Sequence, residues 1–371
     1  DLSNFDPNYI GLRVNGNYDG KQLGLPTGIA GPALVVNEEL AEKYGIDFNT
    51  QYTWDQFIEW GKKVHEADPD TYLLCTNKEY VTNLVFFTYM KQLTGKTIFD
   101  ADSKAFNYTE EDIQNCLDLV KSLYDNNVCA PASYSSAYSN DDLQSDPNWI
   151  AGKYVCTFAY ISTINVMTAA NEGATYGTGY LPLLDGAKDN GWACNCPQVL
   201  AVTSTCKAPE AAMKFLNEMY TNPDVVNLLD WGIEGVHYEK QDDGTIDFPE
   251  GVDTNTTTYG LNMDWFFGNQ FLSYIWGKGR DTTIYSRLEE NNKNSEFSPV
   301  MGFSFDSTAV SSEVAAITNV INQYLPGLSC GSLNPDTEMD AFLEALDDAG
   351  MQTVIEEKQK QLDAWKAENQ Q

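Results

Sequence analysis

The sequence predicts an α/β protein built of two lobes. Short apolar runs bounded by Gly, Pro or Asn alternate with segments of helical periodicity, which is typical of parallel α/β lobes and not of a sandwich or a helical bundle. The length of 371 residues is too great for one ordinary core. No linker rich in Pro, Gly and Ser divides the sequence. We therefore expect the chain to cross between lobes on strands, at about residues 26–34 and 197–203.

Local capping chemistry marks the helix starts in the first half of the chain. Thr53 and Thr109 each precede a run of helical periodicity, and Thr53 forms a capping box with Gln56. Asn37 caps a helix that Gly45 ends, and a long helix is expected from about Glu79 to Thr94. Strands are predicted at Lys21–Pro26, Pro32–Val36, Tyr72–Cys75, Tyr154–Tyr160 and Tyr180–Leu184.

The stretch Trp192–Tyr238 organises the middle of the chain. The apolar run Val199–Val202 predicts a buried strand, Pro209 opens a helix, and Asn222 with Pro223 opens a second helix that ends near Trp231. The inward face of the first of these helices is expected to carry Ala212, Phe215, Leu216, Met219 and Tyr220.

The remainder of the chain is predicted to be mainly helical. Gln241–Thr258 is rich in turn-forming residues and predicts a loop or a small hairpin. The most aromatic segment is Asn262–Gly277. Helices are expected at Val310–Leu325, near Glu338–Ala349, and at Thr353–Lys366.

Charge restricts the partners. The formal net charge is -32, which repels phosphate backbones and anionic membranes. We therefore expect no nucleic-acid partner and a neutral ligand.

The sequence contains only weak matches to catalytic and metal-binding motifs. Cys194, Cys196 and Cys206 lack a fourth ligand at zinc spacing, so free thiols are favoured. The sequence Gly327–Gly331 matches a nucleophile elbow, but a helix precedes it and no histidine follows it. No cofactor and no metal are expected.

Acids and aromatic residues leave two kinds of carbohydrate chemistry open. A glycoside hydrolase needs two carboxylates about 5–10 Å apart, and Glu234, between two glycines, is the best single candidate. A binding site needs aromatic planes for the apolar faces of sugar rings, with polar partners for the hydroxyls. The segment Asp264–Asn269 and the pair Glu79-Tyr80 offer that mixture.

Several motifs in order resemble those of one family. They are DGKQLGLP (Asp19–Pro26), TWDQF (Thr53–Phe57), Gly152-Lys153, the PEAAMKFL helix (Pro209–Leu216), GIEGVHY (Gly232–Tyr238), GFSFD (Gly302–Asp306) and QKQLDAW (Gln359–Trp365). Together they resemble extracellular solute-binding proteins of the family-1 type, the carbohydrate-binding subunits of ABC importers. The later motifs resemble the lipoprotein branch with an uncharacterised C-terminal domain.

The resemblance implies a Venus-flytrap fold of the periplasmic-binding-protein type II class, whose two α/β lobes close on a sugar. It implies an extracellular, cell-surface lipoprotein that acts as a monomer and delivers its ligand to ABC permease subunits. Carried over by position, the ligand-binding residues are Glu79, Tyr80, Tyr160, Trp231, Glu234, Trp265, Phe303 and Phe305. Trp231 and Glu234 are expected at the lobe interface or the cleft floor.

The resemblance also implies a domain division. Residues 1–30 with 200–300 would form the first lobe, 31–199 the second, and 301–371 a C-terminal, mainly helical region packed across the lobes. Family members begin with a lipid-modified Cys and several strand–helix units before the Asp19–Pro26 strand, so we expect the first lobe to be incomplete here and the membrane anchor to precede this chain. A glycoside hydrolase and a non-transport surface lectin stay open as alternatives.

Overall fold

A computed structural model describes most of the chain. The described residues are 17–18, 21–27, 29–30, 32–75, 86–94, 109–130, 147–160, 174–184, 194–195, 199–261, 263–277, 282–294, 300, 303–329 and 333–369.

Twelve short strands and eleven helices lie in these ranges. The strands are β1 Asn17–Tyr18, β2 Lys21–Gln22, β3 Leu25–Pro26, β4 Ile29–Ala30, β5 Pro32–Asn37, β6 Tyr72–Cys75, β7 Tyr154–Tyr160, β8 Tyr176–Gly179, β9 Cys194–Asn195, β10 Val199–Leu200, β11 Glu239–Lys240 and β12 Ile246–Asp247. The helices are α1 Glu38–Tyr44, α2 Trp54–Ala67, α3 Phe86–Thr94, α4 Glu110–Asp125, α5 Pro147–Ile150, α6 Pro209–Thr221, α7 Pro223–Asp230, α8 Ile284–Asn294, α9 Ser311–Ser329, α10 Pro335–Asp348 and α11 Met351–Asn369. Short 3-10 turns occupy Asp264–Phe266, Gln270–Leu272 and Thr308–Val310.

The chain divides into two units. Unit 1 comprises Asp1–Glu39, Ala159–Gly179 and Gly191–Glu296, and unit 2 comprises Leu40–Phe158, Tyr180–Asn190 and Phe297–Gln371. The three-part domain division expected from the sequence stays a prediction.

Unit 2 is organised around the tryptophan of the TWDQF motif. The predicted capping box is confirmed, because Thr53 Oγ1 accepts from the Gln56 N–H and Gln56 Oε1 accepts from the Thr53 N–H. The cap starts α2 so that Trp54 points inward, where it is 3% exposed. Its ring stacks on Phe158 at 5.9 Å with an interplanar angle of 9°. The cap, a local feature, thereby positions the aromatic core of the unit.

The parallel part of unit 2 is the pair β6–β7. Tyr72 lies opposite Tyr154 and Cys75 opposite Thr157 in a parallel register. All four residues of β6 are buried, as expected of a parallel strand covered on both faces. Helix α2 packs beside β6, and its Gly61 has no room for a side chain because a Cβ there would lie 2.7 Å from Val128 Cγ2.

The C-terminal helices of unit 2 share a core with α4. Ile317 and Leu328 of α9, Met339 and Phe342 of α10, and Leu117 of α4 form one buried cluster. At about 25 cal/mol per Å² of apolar area removed from water, such burial stabilises the attachment by several kcal/mol. The C-terminal region is therefore an integral part of unit 2.

Besides β5 and β8, unit 1 holds several two-residue strand pairs among its described residues. β3 pairs with β10, β4 with β9, and β11 with β12, all antiparallel. Helices α6 and α7 begin at Pro209 and Pro223, as predicted, and the Asn222 side chain accepts from the Asp224 N–H. Tyr220 donates its hydroxyl proton to the carbonyl oxygen of Pro26, which fixes α6 to β3.

The predicted strand at Tyr180–Leu184 is wrong. The strand lies at Tyr176–Gly179 instead, where it pairs antiparallel with β5. Pro182 has no N–H to give to a ladder, and the Tyr180 and Leu183 N–H groups bond the carbonyl oxygens of Phe48 and Tyr52 at 2.9 and 3.0 Å. Glycine-rich β8 gave little strand signal, yet Gly177 leaves the space that the Glu38 carboxylate occupies.

Three further sequence predictions needed correction. Phe215 was expected to face inward on α6, but its side chain is 52% exposed. The strand predicted at Val199–Val202 is confined to Val199–Leu200 and is only half-buried. Helix α9 does not stop at Leu325 but runs through Pro326 to Ser329, because the added turn buries Leu328 completely. The lost hydrogen bond at the proline is offset by that contact.

Candidate functional site

A turn of three aromatic residues is the most prominent candidate feature of unit 1. Trp265 and Phe266 lie in the 3-10 turn, and Phe267 follows. The Trp265 and Phe266 rings meet edge to face at 5.6 Å, and those of Phe266 and Phe267 at 5.5 Å. Trp265 is half-buried, so part of its side chain reaches solvent. A partly exposed indole is suited to stacking on a sugar ring.

The end of helix α6 holds this turn in place. Gly268 adopts a φ of 63°, and a Cβ there would collide with the carbonyl oxygen of Met219. The Asn269 N–H donates to the same oxygen at 3.1 Å. The aromatic turn therefore approaches the α6 backbone more closely than any residue with a side chain could.

Two buried carboxyl groups fasten the turn to helices α7 and α8. Asp264 is 2% exposed and Asp230 is fully buried. Asp230 Oδ1 accepts from the Met263 N–H at 2.7 Å, and its Oδ2 accepts from Ser273 Oγ at 2.8 Å. Asp264 Oδ2 accepts from the Tyr285 hydroxyl. The sequence had suggested Asp264 as a polar partner for sugar, and its burial corrects that interpretation.

Burial raises the pKa of both carboxyl groups. The pKa of Asp264 is raised by loss of hydration and then by the charge of Asp230, with the Tyr285 hydrogen bond opposing both. Loss of hydration likewise raises the pKa of Asp230, against the hydrogen bonds from Met263 and Ser273. Two acids close enough to repel favour a shared proton. This pair was not anticipated from the sequence, because the two acids are 34 residues apart.

Trp231 has a structural position beside this pair. Its ring is 3% exposed and stacks on Trp276 at 5.0 Å. Its Nε1–H donates to Ser273 Oγ at 3.0 Å, so Trp231 and Trp265 belong to one connected network. The burial leaves almost none of the Trp231 ring exposed to solvent.

Glu234 lies on the solvent side of unit 1. Its carboxylate pairs with Lys240 at 3.0 Å, and the two side chains are 52% and 49% exposed. In the same loop His237 Nδ1 accepts from the Ile233 N–H at 2.9 Å, and its Nε2 lies 3.2 Å from Thr258 Oγ1. His237 thus holds the loop closed through hydrogen bonds.

Three further candidate residues lie at or beyond the carboxyl ends of β6 and β7. Ligands of open parallel sheets bind beyond this edge. Tyr160 ends β7, three residues past the last paired position. Glu79 and Tyr80 come four and five residues after β6 and lie outside the described residues, as does the start of the predicted helix 79–94. The structure confirms that helix from Phe86 to Thr94.

The side chain of Gln92 connects three segments of unit 2 through hydrogen bonds. Gln92 Oε1 accepts from Trp54 Nε1–H and from the Leu184 N–H, both at 3.1 Å. Its Nε2 donates to the carbonyl oxygen of Pro182 at 2.9 Å. Helix α3 is thereby tied to α2 and to the 180–184 segment.

Phe303 and Phe305 belong to unit 2 and are half-buried. The Phe303 ring meets Trp365 of α11 edge to face at 6.1 Å. Phe303 therefore has a packing partner in the C-terminal helix.

Nucleophile and metal chemistry find little support in the described part of the chain. Burial raises the pKa of the Cys116, Cys129 and Cys156 thiols, which keeps them protonated and unreactive. Ser329 ends a helix, whereas a nucleophile elbow follows a strand. Within the described ranges, no group of three or more His, Cys, Asp or Glu side chains could hold a metal ion. No described helix is long and apolar enough to cross a membrane.

Family comparisons cover most of the chain. The profile of the bacterial extracellular solute-binding proteins matches residues 1–226. A second profile, of a domain of unknown function called DUF3502, matches residues 299–367. A carbohydrate ABC transporter substrate-binding protein of Streptococcus pneumoniae is 26% identical over 96% of this chain and 72% of its own length.

Solved structures confirm the predicted fold class. The N-glycan transport solute-binding protein NgtS of Streptococcus pneumoniae superposes with a TM-score of 0.71 over 99% of this chain and 79% of its own, at 20% identity. A periplasmic oligogalacturonide-binding protein of Yersinia enterocolitica superposes with a TM-score of 0.59 over 93% of this chain and 78% of its own, at 19% identity. Likeness at this level of identity shows the fold alone.

Proposed function

This chain belongs to the bacterial extracellular solute-binding protein family, and we propose that it captures a sugar or oligosaccharide for an ABC importer. The observation that carries the proposal is the match of that family's profile to residues 1–226. The ligands of relatives support a carbohydrate ligand. One is an arabinooligosaccharide-binding protein of Halalkalibacterium halodurans, 28% identical over 29% of this chain and 22% of its own length, and NgtS has been solved with Man5GlcNAc.

Each unit supplies part of the proposed binding chemistry. In unit 1 Trp265 offers its exposed ring face, and Trp231 and the buried acids hold it in position. Glu234 would act as a polar neighbour of the bound sugar. Glu79 and Tyr80 follow β6 in the sequence and Tyr160 ends β7, at the carboxyl ends of two parallel strands, where hydroxyl-binding and stacking groups are needed.

The remaining proposals concern location and partners. Phe303 and Phe305 are proposed ligand contacts that lie close to the C-terminal helices. The protein is proposed to be a monomer held at the cell surface by a lipid anchor and to deliver its ligand to the permease subunits of the importer. We propose no enzymatic activity; the buried carboxyl pair Asp230–Asp264 lacks solvent access and its oxygens bond protein groups.

An oligosaccharide panel tests the function. Thermal shift and calorimetry with manno-, arabino- and galacturono-oligosaccharides should give stoichiometric binding without change of the sugar. Mass spectrometry of the recovered sugar would contradict the proposal if it showed hydrolysis. A panel that gives no thermal shift would contradict the carbohydrate ligand.

Replacing Trp265 with alanine is expected to weaken binding of the best panel sugar about five- to thirtyfold, because one stacked aromatic ring contributes on the order of 1–2 kcal/mol. Phe215→Ala is the matched control, since this aromatic side chain of unit 1 is 52% exposed and has no proposed ligand role. Calorimetry of both variants provides the measurement. Equal affinities for Trp265→Ala and the wild type would remove Trp265 from the site.

A further inference from the structure

The end of helix α7 presents exposed apolar side chains on an ordered loop. Five of them, here called the apolar patch, are Leu228 (54% exposed), Ile233 (54%), Val236 (53%), Tyr259 (37%) and Leu261 (44%). Grouped apolar exposure with a polar rim marks interaction sites on soluble proteins. The proposed sugar contacts do not include these five side chains.

Backbone and side-chain bonds hold the patch together. The Tyr259 hydroxyl donates to the carbonyl oxygen of Leu229 at 2.6 Å, and the Leu261 N–H donates to that of Asp230 at 2.9 Å. The Val236 N–H donates to the carbonyl oxygen of Ile233 at 3.1 Å. These bonds place the patch residues around one helix end.

Two glycines allow the loop its conformation. Gly232 has a φ of 90°, and a Cβ there would lie 2.6 Å from His237 Nδ1 and 2.8 Å from Tyr259 Cδ1. Gly235 has a φ of 78°. The loop is thereby folded tightly while its two aliphatic residues, Ile233 and Val236, face solvent. Pre-organised apolar side chains lose little entropy when a partner covers them.

Charge selects among the possible occupants. The segment 223–261 holds nine acidic residues and a single base, Lys240, whose ammonium group pairs with Glu234. The whole chain carries a net charge of -32. A second copy would bring the same acidic surroundings against themselves, and an anionic membrane would be repelled. A sugar needs converging hydrogen-bonding groups, and aliphatic side chains supply none.

We propose that the apolar patch docks a segment of the membrane permease in which apolar side chains are flanked by Lys or Arg. The proposal rests on the function proposed above, because it assigns that function's partner to one surface. The apolar centre would supply affinity, and the acidic surroundings would speed and orient the encounter.

The test uses the full-length protein and its cognate permease complex in nanodiscs. Binding is measured without sugar and with the panel sugar that gives the largest thermal shift. Ile233→Asp with Val236→Asp should weaken permease binding at least about tenfold. Ile150→Asp in unit 2 is the matched control, since Ile150 is 50% exposed, and it should bind as the wild type does. Wild-type affinity should also fall as salt rises, because exposed charges are screened.

Two additional measurements separate the possible outcomes. Sugar calorimetry should give the same affinity for all variants as for the wild type. A wild type that binds no sugar would contradict the proposed function, but its binding to the permease could still be measured. Ile233→Ser serves as a milder variant if the double substitution lowers the melting temperature. Full permease affinity in a folded patch variant overturns the docking proposal. Dimerisation of the wild type in sedimentation, if the double substitution abolishes it, would also overturn the proposal. So would binding of the wild type to vesicles of equal phosphatidylglycerol and phosphatidylcholine.

Discussion

Replacing Gly268 with alanine is expected to destabilise unit 1 by about 2–4 kcal/mol, from backbone strain and overpacking together. The residue has a φ of 63°, and its missing side chain leaves the space that the Met219 carbonyl oxygen occupies. A methyl group would push the aromatic turn off helix α6. Peptide-resolved hydrogen exchange should show faster exchange in α6 and residues 263–277, and sugar binding should weaken with it.

Gly251→Ala separates backbone strain from steric collision. Gly251 also has a positive φ, 82°, but nothing lies within 4 Å of its Cβ position. This control should cost only about 1 kcal/mol. Equal losses for the two variants would show that the approach to Met219 contributes nothing.

The stability of unit 1 is expected to fall as pH rises through the titration of the Asp230–Asp264 pair. The pKa is raised to about 6 for Asp230 and about 7 for Asp264, from 3.8. Between pH 3.8 and these raised pKa values, the folded state binds more protons than the unfolded state. The free energy of unfolding therefore decreases as pH rises through this range. The favourable contribution is fully present below pH 3.8 and is lost by about pH 7. At about 1.36 kcal/mol per pKa unit, the pair accounts for a few kcal/mol.

Asp264→Asn isolates this effect. Its amide oxygen can still accept from Tyr285, but it carries no charge. Between pH 5 and pH 8 the wild type should therefore lose about 2 kcal/mol more of its free energy of unfolding than the variant does. Urea unfolding followed by tryptophan fluorescence at both pH values measures it.

Asp242→Asn is the control for the pH series, since Asp242 is exposed in the β11–β12 hairpin. It should track the wild type at both pH values. A pH-independent difference for Asp264→Asn would contradict a buried, mutually repelling pair.

Local chemistry made much of the fold predictable from the sequence. The capping box of Thr53 and Gln56 and the proline starts at Pro209 and Pro223 depend on residues within one helical turn. The structure confirms each of them. Turn-forming residues likewise predicted a loop or a small hairpin at Gln241–Thr258, and the structure has a hairpin of β11 and β12 at 239–247.

Distant contacts account for the errors. Phe215 has the right spacing for the core, but α6 turns its Met219–Tyr220 side toward β3 and leaves Phe215 in solvent. Helical periodicity alone does not say which of two adjacent apolar stripes finds a partner. Strand β8 was missed because its Tyr-Gly-Thr-Gly sequence has low strand propensity and forms only by pairing with β5.

The candidate site was predicted by residue type more than by position. The sequence indicated Trp265 as an aromatic residue in a polar setting, and the structure leaves its ring half-exposed. It gave no sign that Asp264 would be buried beside Asp230, since that depends on how the 3-10 turn meets α7 and α8. The ligand-binding assignments all stay predictions; they are Glu79, Tyr80, Tyr160, Trp231, Glu234, Trp265, Phe303 and Phe305.

The buried cysteines of unit 2 can report how often that unit opens. Cys75, Cys116, Cys129 and Cys156 form no disulfide, lie at 0–1% exposure and all belong to unit 2. A thiol reagent can modify them only in molecules whose unit 2 has opened, so the modification rate reports the free energy of that opening. The same reagent meets Cys206, a partly exposed thiol of unit 1, without any opening. The rate at which these four thiols are modified therefore measures the opening of unit 2 separately from any opening of unit 1.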